Sequence, residues 1–251
     1  MTDPCILKTE NLSLSYGGFT AVDKVNLQVK HKTVHSVIGP NGAGKTSLFH
    51  CLTGGRRPTG GRILFKDEEI TNKSAHARVG SGMARSFQIT SLFQNLTVRE
   101  NLRLASQGRD GNRALVFWRS VSARGEHQAL ADQVMERLGL THKAGVAAGD
   151  LSHGQQRILE VGMALCGKPA LLLLDEPTAG MGVNDIPMMT ELIAELGKDY
   201  SVLLIEHNMG IVMSISDTIT VMSRGNVLIE GKPAEIRADM RVREAYLGEV
   251  A

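Results

Sequence analysis

Near the start of the chain the apolar positions recur every second residue, at Leu12 and Leu14 and then at Val25, Leu27 and Val29. A period of two puts alternate side chains on one face, which predicts β-strands. "VHSVIG" predicts a third strand that runs into a Gly-rich turn. Beyond that turn Leu48, Phe49, Cys51 and Leu52 fall at helical spacing, and Gly54 and Gly55 end the helix. "TGGRILFKDEEI" returns to strand.

The period changes in the middle of the chain. Thr97 and Glu100 of "TVRENLRLAS" stand at capping-box spacing, a helix start. Leu130, Val134 and Leu138 recur every four residues and predict another helix. Between them "GRDGNRALVFWRSVSARG", rich in Gly and Arg, fits a surface insertion that carries the sole tryptophan, Trp118. The last third alternates again, with strands "ALLLLD", "SVLLIE" and "TITVM" separated by "IPMMTELIAELG" and "MGIVMSIS". Continuous apolar strands between amphipathic helices predict a parallel sheet covered on both faces. "SRGNVLIEG" reads as a turn and a short strand, and neither an internal repeat nor a low-complexity linker interrupts the chain.

Charge narrows the function classes. Twenty-eight basic and 26 acidic residues leave a net charge of only +2, too balanced for a binder of phosphate backbones. An aromatic content of 4% leaves few platforms for stacking single strands, so no nucleic-acid partner is expected. Cys5, Cys51 and Cys166 show no metal-ligand spacing and predict buried free thiols in a reducing cytosol. "MTDPCILKTE" has an acid at position 3 and no apolar core, unlike a secretory signal. The apolar runs fall well short of the roughly 18 residues that a membrane span needs. Attachment to a membrane would require another protein.

The candidate chemistry begins at "GPNGAGKT", residues 39–46, which follows a predicted strand and opens a predicted helix. In that setting G-x-x-x-x-G-K-[ST] is a phosphate cradle: backbone N–H groups converge on the phosphates and the helix dipole adds positive potential. Gly39, Pro40, Asn41, Gly42, Ala43, Gly44, Lys45, Thr46 and Ser47 are the expected nucleotide-binding residues. Lys45 would reach the β- and γ-phosphates, and the Thr46 hydroxyl would ligate Mg²⁺. A second element, "LLLLDEP", ends an apolar strand in Asp175, a Mg²⁺ ligand, followed by Glu176, a candidate general base. The bland alternative for this acid pair is helix capping. "LLIEH" puts His207 just past another strand end, where it either contacts the γ-phosphate or is merely structural. By themselves Gln88 in "ARSFQIT" and Tyr16 in "LSLSYGG" say little, and a core position is the default for the tyrosine.

Taken in order, these motifs resemble the ATP-binding subunits of ABC transporters over nearly the whole chain. The resemblance runs through the loop at 39–46, Gln88, "LSHGQ" at 151–155, Asp175–Glu176 and His207. It implies a P-loop NTPase (RecA-like) α/β core with an antiparallel β-subdomain and an inserted helical subdomain. Residues 1–87 and 163–251 would form the core lobe and residues 88–162 the helical one. It further implies that Tyr16 stacks on adenine, that Gln88 contacts Mg²⁺ and the catalytic centre, and that Lys45, Glu176 and His207 serve catalysis. In such proteins two domains pair head to tail, so Ser152, Gly154 and Gln155 would close on ATP held by the partner. The run "S-x-x-Q" at 152–155 also fits a local helix cap, and both readings can hold.

"LSYGGFTAVDKVNLQV", "GMARSFQITSLFQNLTVRENL", "EPTAGM" and "EAYLGE" further resemble importers of branched-chain or hydrophobic amino acids and amides. With its insertion the chain is similar to the larger of their two ATP-binding subunits. The implied cofactors are ATP and Mg²⁺. The implied partners are two permease subunits, with a second ATP-binding subunit or a second copy of the chain. A periplasmic binding protein would act indirectly, and the site of action would be the cytoplasmic face of the bacterial inner membrane. Departures from the family pattern are His153 for a glycine, Gly182 for an aspartate, and no Gly-Glu ahead of the P-loop strand. Two other readings share the motifs: an exporter ATPase of the lipopolysaccharide-transport type, and a soluble ATPase of iron–sulfur assembly.

Overall fold

The computed structural model describes residues 5–85, 92–108 and 121–247. The alternating N-terminal segments form two long strands, β1 (Cys5–Tyr16) and β2 (Phe19–Lys30), paired antiparallel. With β4 (Gly60–Phe65) and β5 (Glu68–Glu69) they make a four-stranded sheet in the order β2-β1-β4-β5. Its inward residues, including Leu7, Leu12, Val25, Leu27 and Ile63, are buried, while the intervening positions are largely polar and face outward.

The apolar segments build a six-stranded sheet. β3 (Val34–Ile38), β6 (Met83–Arg85), β7 (Leu171–Asp175), β8 (Ser201–Ile205) and β9 (Thr218–Ser223) pair parallel, and β10 (Asn226–Gly231) closes one edge antiparallel. The order is β10-β9-β3-β8-β7-β6. Every residue of β3, β7 and β8 is buried, as a sheet covered on both faces requires. β6 has no counterpart among the predicted strands because three residues carry no measurable period.

One face of this sheet shares a core with β1, β2 and α1 (Lys45–Thr53). The other packs on α6 (Ile186–Asp199) and on the helical middle, α3 (Val98–Gly108), α4 (Val121–Arg137) and α5 (His153–Cys166), through Leu102, Val134, Ile158, Leu172 and Leu204. The capping box that starts α3 is present, with Thr97 N–H donating to Glu100 and Glu100 N–H to the Thr97 hydroxyl. The stretch assigned to a surface insertion lies mostly outside the described residues. Cys51 and Cys166 are buried and Cys5 is partly so; burial pushes the first two thiols up to about 11 and about 12.

Two buried polar residues had no sequence signal. Arg78, in α2 (Ala75–Gly80), is 2% exposed and donates to four backbone carbonyls, two of them at the end of α1. His35, in β3, is 1% exposed and its Nε2 lies 2.8 Å from the Thr220 hydroxyl. Burial lowers its pKa from 6.5 to about 4, opposed by a hydrogen bond with the Gln28 backbone, so the imidazole is neutral and its 3.8 Å approach to Glu230 is no ion pair. The unfolded chain therefore takes up a proton below pH 6.5 that the fold refuses until about pH 4. The His35 contribution is complete above pH 6.5 and lost as pH falls through that window, by about 3 kcal/mol in all. In urea titrations at several pH values, His35→Gln should flatten the acid limb by up to about 1.4 kcal/mol per pH unit. An unchanged slope would mean that the imidazole is charged in the fold.

Candidate nucleotide site

The parallel strands bring the predicted chemistry to one edge. β3 delivers the loop 39–46, β7 delivers Asp175, and β8, which lies between them, leads into His207. In open α/β sheets this carboxyl edge is where ligands bind. The loop is packed from behind by the β-subdomain: a Cβ on Gly44 (φ 99°) would lie 2.2 Å from the carbonyl oxygen of Ala21. Lys45 is 8% exposed, and its ammonium donates to the carbonyls of Gly39 (2.6 Å) and Pro40 (2.9 Å). The lysine that the sequence assigned to phosphate is thus held across the mouth of its own loop. Thr46 and Ser47 follow at the start of α1, where the helix dipole is positive.

Asp175 is 4% exposed, and its Oδ2 is buried without a hydrogen-bond partner among the described residues. Burial pushes its carboxyl above the ordinary range, Arg85 opposes that, and Glu176 adds to it. The Arg85 guanidinium is 3.8 Å from Oδ2 and lies over the Phe49 ring, 4.9 Å from its centroid. A buried carboxylate oxygen without a hydrogen bond, on the same sheet edge as the loop that leads into Thr46, suits a hard cation such as Mg²⁺, which prefers oxygen ligands and shares few of them with protein. Arg85 was missed from sequence. It ends the short strand β6, three residues ahead of Gln88, which itself lies outside the described residues.

Glu176 takes a left-handed backbone (φ 47°), and its N–H donates to Ile205 O at 2.8 Å. His207 Nδ1 is 3.9 Å from Glu176 Oε1 and equally far from Glu206 Oε2. The two catalytic candidates from separate strands therefore meet, and the acid pair does not cap a helix. Tyr16 is 44% exposed at the tip of the β1–β2 hairpin, paired with Phe19, so its default reading as a core residue is overturned.

"LSHGQ" forms the start of α5. Ser152 accepts from Gln155 N–H, and Gln155 Oε1 accepts from Ser152 N–H, both at 3.2 Å, so the local cap is real. Ser152 and His153 are exposed, whereas Gly154 is buried. A Cβ on Gly154 would fall 2.4 Å from Asp185 Oδ2, and one on Gly182 would fall 3.7 Å from the same oxygen. Asp185 therefore packs on α5, the helix opened by the "LSHGQ" signature, with Gly182 beside it.

Fold and site together define a P-loop nucleotide hydrolase. The family model "ABC transporter" matches residues 22–179, and "Branched-chain amino acid ATP-binding cassette transporter" matches residues 227–251. The chain is 43% identical to the high-affinity branched-chain amino acid transport ATP-binding protein BraF of Pseudomonas aeruginosa, over 97% of this chain and 98% of that one. It is 40% identical to LivG of Escherichia coli, named in the same words, over 99% and 100%. Among solved structures it resembles the ADP conformation of MJ1267, an ATP-binding cassette of an ABC transporter, with TM-score 0.85 and 32% identity over 98% of this chain and 99% of that one. The chain belongs to the ATP-binding subunits of ABC transporters, in the branch named for branched-chain amino acids, and is an ATPase. These relatives are not named for lipopolysaccharide export or iron–sulfur assembly, the two other readings of the motifs.

Proposed function

We propose that this subunit powers uptake of branched-chain or related hydrophobic amino acids or amides across the bacterial inner membrane. The observation that carries the reading is similarity to two such transport subunits along their whole lengths, together with the match at residues 227–251. No helix among the described residues is long and apolar enough to cross a membrane. The subunit would therefore sit at the cytoplasmic face beneath two permease subunits. A second ATP-binding subunit, or a second copy, completes the pair, and a periplasmic binding protein delivers the solute.

In this reading Tyr16 stacks on adenine, and the backbone N–H groups of residues 39–47 hold the phosphates. Lys45 exchanges the carbonyls of Gly39 and Pro40 for phosphate oxygens, so its position now marks where negative charge is to be met. Thr46, Asp175 and Gln88 would hold Mg²⁺, which neutralises charge on the phosphates when bound. Glu176 orients the attacking water and accepts its proton. His207 donates to the transferring phosphoryl group, and Ser152, Gly154 and Gln155 of the partner close over it. Little covalent chemistry is asked of the protein, so positioning and electrostatics dominate. Residues 88–162 act as the lobe that carries this signature and receives the permease.

Affinity purification of the tagged chain from gently solubilised membranes tests the assembly. Two permease subunits and an ATP-binding partner should co-purify, and loss of the subunit should abolish uptake of labelled leucine. Recovery of soluble scaffold proteins alone, with uptake intact, would overturn the reading.

A further inference from the structure

Glu206 is wholly buried immediately after β8, yet of the motif "LLIEH" only His207 has been given a role. Its two carboxylate oxygens serve two different loops. Oε1 accepts from the N–H of Thr178 (3.1 Å) and from the Thr178 hydroxyl, in the loop that follows Glu176. Oε2 accepts from the N–H groups of His207 (3.1 Å) and Asn208 (3.4 Å), in the loop that carries the histidine. Four donors thus converge on one ionisable side chain, two from each loop.

The histidine ring has no comparable anchor. It is 62% exposed, its nearest carboxylates lie 3.9 Å away, and no hydrogen bond to it appears among the described residues. Its place is set through the backbone, and Glu206 holds that backbone. The same carboxylate grips Thr178, whose loop is bonded onward, Met181 N–H to Thr178 O and Asp185 N–H to Gly182 O. That loop ends at Asp185, against Gly154 of the signature helix. We infer that Glu206 is a positioning residue that splints the His207 loop to the loop after Glu176, so that the histidine keeps its place beside the general base. The inference rests on the roles proposed above for Glu176 and His207.

Donor and acceptor chemistry makes the splint specific to a carboxylate. A glutamine has the same shape, but its NH₂ would face either the Thr178 donors or the two N–H groups of the His207 loop. One of the two arms must then fail. The expected result, measured on the full chain, is that Glu206→Gln lowers kcat about 10- to 100-fold while KM for ATP stays within about threefold. A general loss of folding would instead reduce the active fraction, read as nucleotide bound per chain.

The decisive comparison combines Glu206→Gln with His207→Ala. If Glu206 acts through the histidine, the double variant turns over no more slowly than His207→Ala alone. Full multiplication of the two losses would overturn the splint, as would wild-type kcat for Glu206→Gln beside an impaired His207→Ala. Wild-type turnover of His207→Ala would instead sink the assignment of the histidine, and the inference with it. Should Glu206→Gln fail to fold, Thr178→Val removes one donor from the opposite loop. It should lower kcat about 3- to 10-fold, with Thr178→Ser restoring it, and wild-type kcat for Thr178→Val would refute the splint.

Discussion

Glu176→Gln is expected to bind ATP within about threefold of wild type and to turn it over about 100- to 10,000-fold more slowly. The backbone at 176, left-handed with φ 47°, is held independently of the side chain by the N–H bond to Ile205 O, so the substitution leaves the loop in place. Glutamine keeps the size and reach of the side chain and loses only the ability to take a proton. The carboxylate also sits next to buried Asp175, whose pKa it raises; removing its charge eases ionisation of that aspartate. Binding that depends on Asp175 should therefore not weaken, and the loss falls on kcat. Equilibrium binding of a fluorescent nucleotide, set against phosphate release, separates the two effects. A variant that hydrolyses ATP at the wild-type rate would remove Glu176 from the role of base.

Much of this site is legible in the amino-acid sequence alone. The period-two strands, the continuous apolar runs and the Gly-rich turn are local patterns, and local patterns survive in a one-dimensional record. Residues 39–46, Asp175, Glu176 and His207 can be found because each follows a strand end, and a parallel sheet gathers such ends on one edge. The "S-x-x-Q" cap of α5 is equally readable, since both partners lie within one turn. What escapes are polar residues whose partners lie far along the chain. Arg85 reaches Asp175 across 90 positions, Glu206 reaches Thr178 across 28, and Arg78 reaches Cys51 across 27. No periodicity marks them, because their partners are specific atoms on other elements. Glu206 in particular reads as the polar end of an apolar strand, and only its buried surroundings distinguish it from a solvated acid.

Of these long-range partners Arg78 serves stability rather than chemistry, and replacing it should carry the largest cost in folding free energy. Its NH1 donates to the carbonyls of Cys51 and Leu52, the latter at 2.7 Å, its NH2 to Thr71 O at 3.0 Å and its Nε to Lys73 O at 3.1 Å. The first two are terminal carbonyls of α1, where the helix carries partial negative charge, so the guanidinium caps the helix whose other end carries Lys45 and Thr46. Burial lowers its pKa below the ordinary arginine value, but an arginine remains a cation at neutral pH. Arg78→Met would keep most of the packed stem and abandon all four acceptors in a site that is 2% exposed. The expected cost is about 3–5 kcal/mol, less than four separate bonds would suggest, because the outer carbonyls can recruit water. For a chain of this length that is a fall in Tm of about 6–20 °C. Arg78→Lys should fall between, since a point charge reaches the helix end without the planar fork that spans Thr71 and Lys73. Thermal unfolding followed by circular dichroism decides it: a Tm for Arg78→Met within about 2 °C of wild type would show that α1 holds its own C-terminus and that the buried cation is incidental.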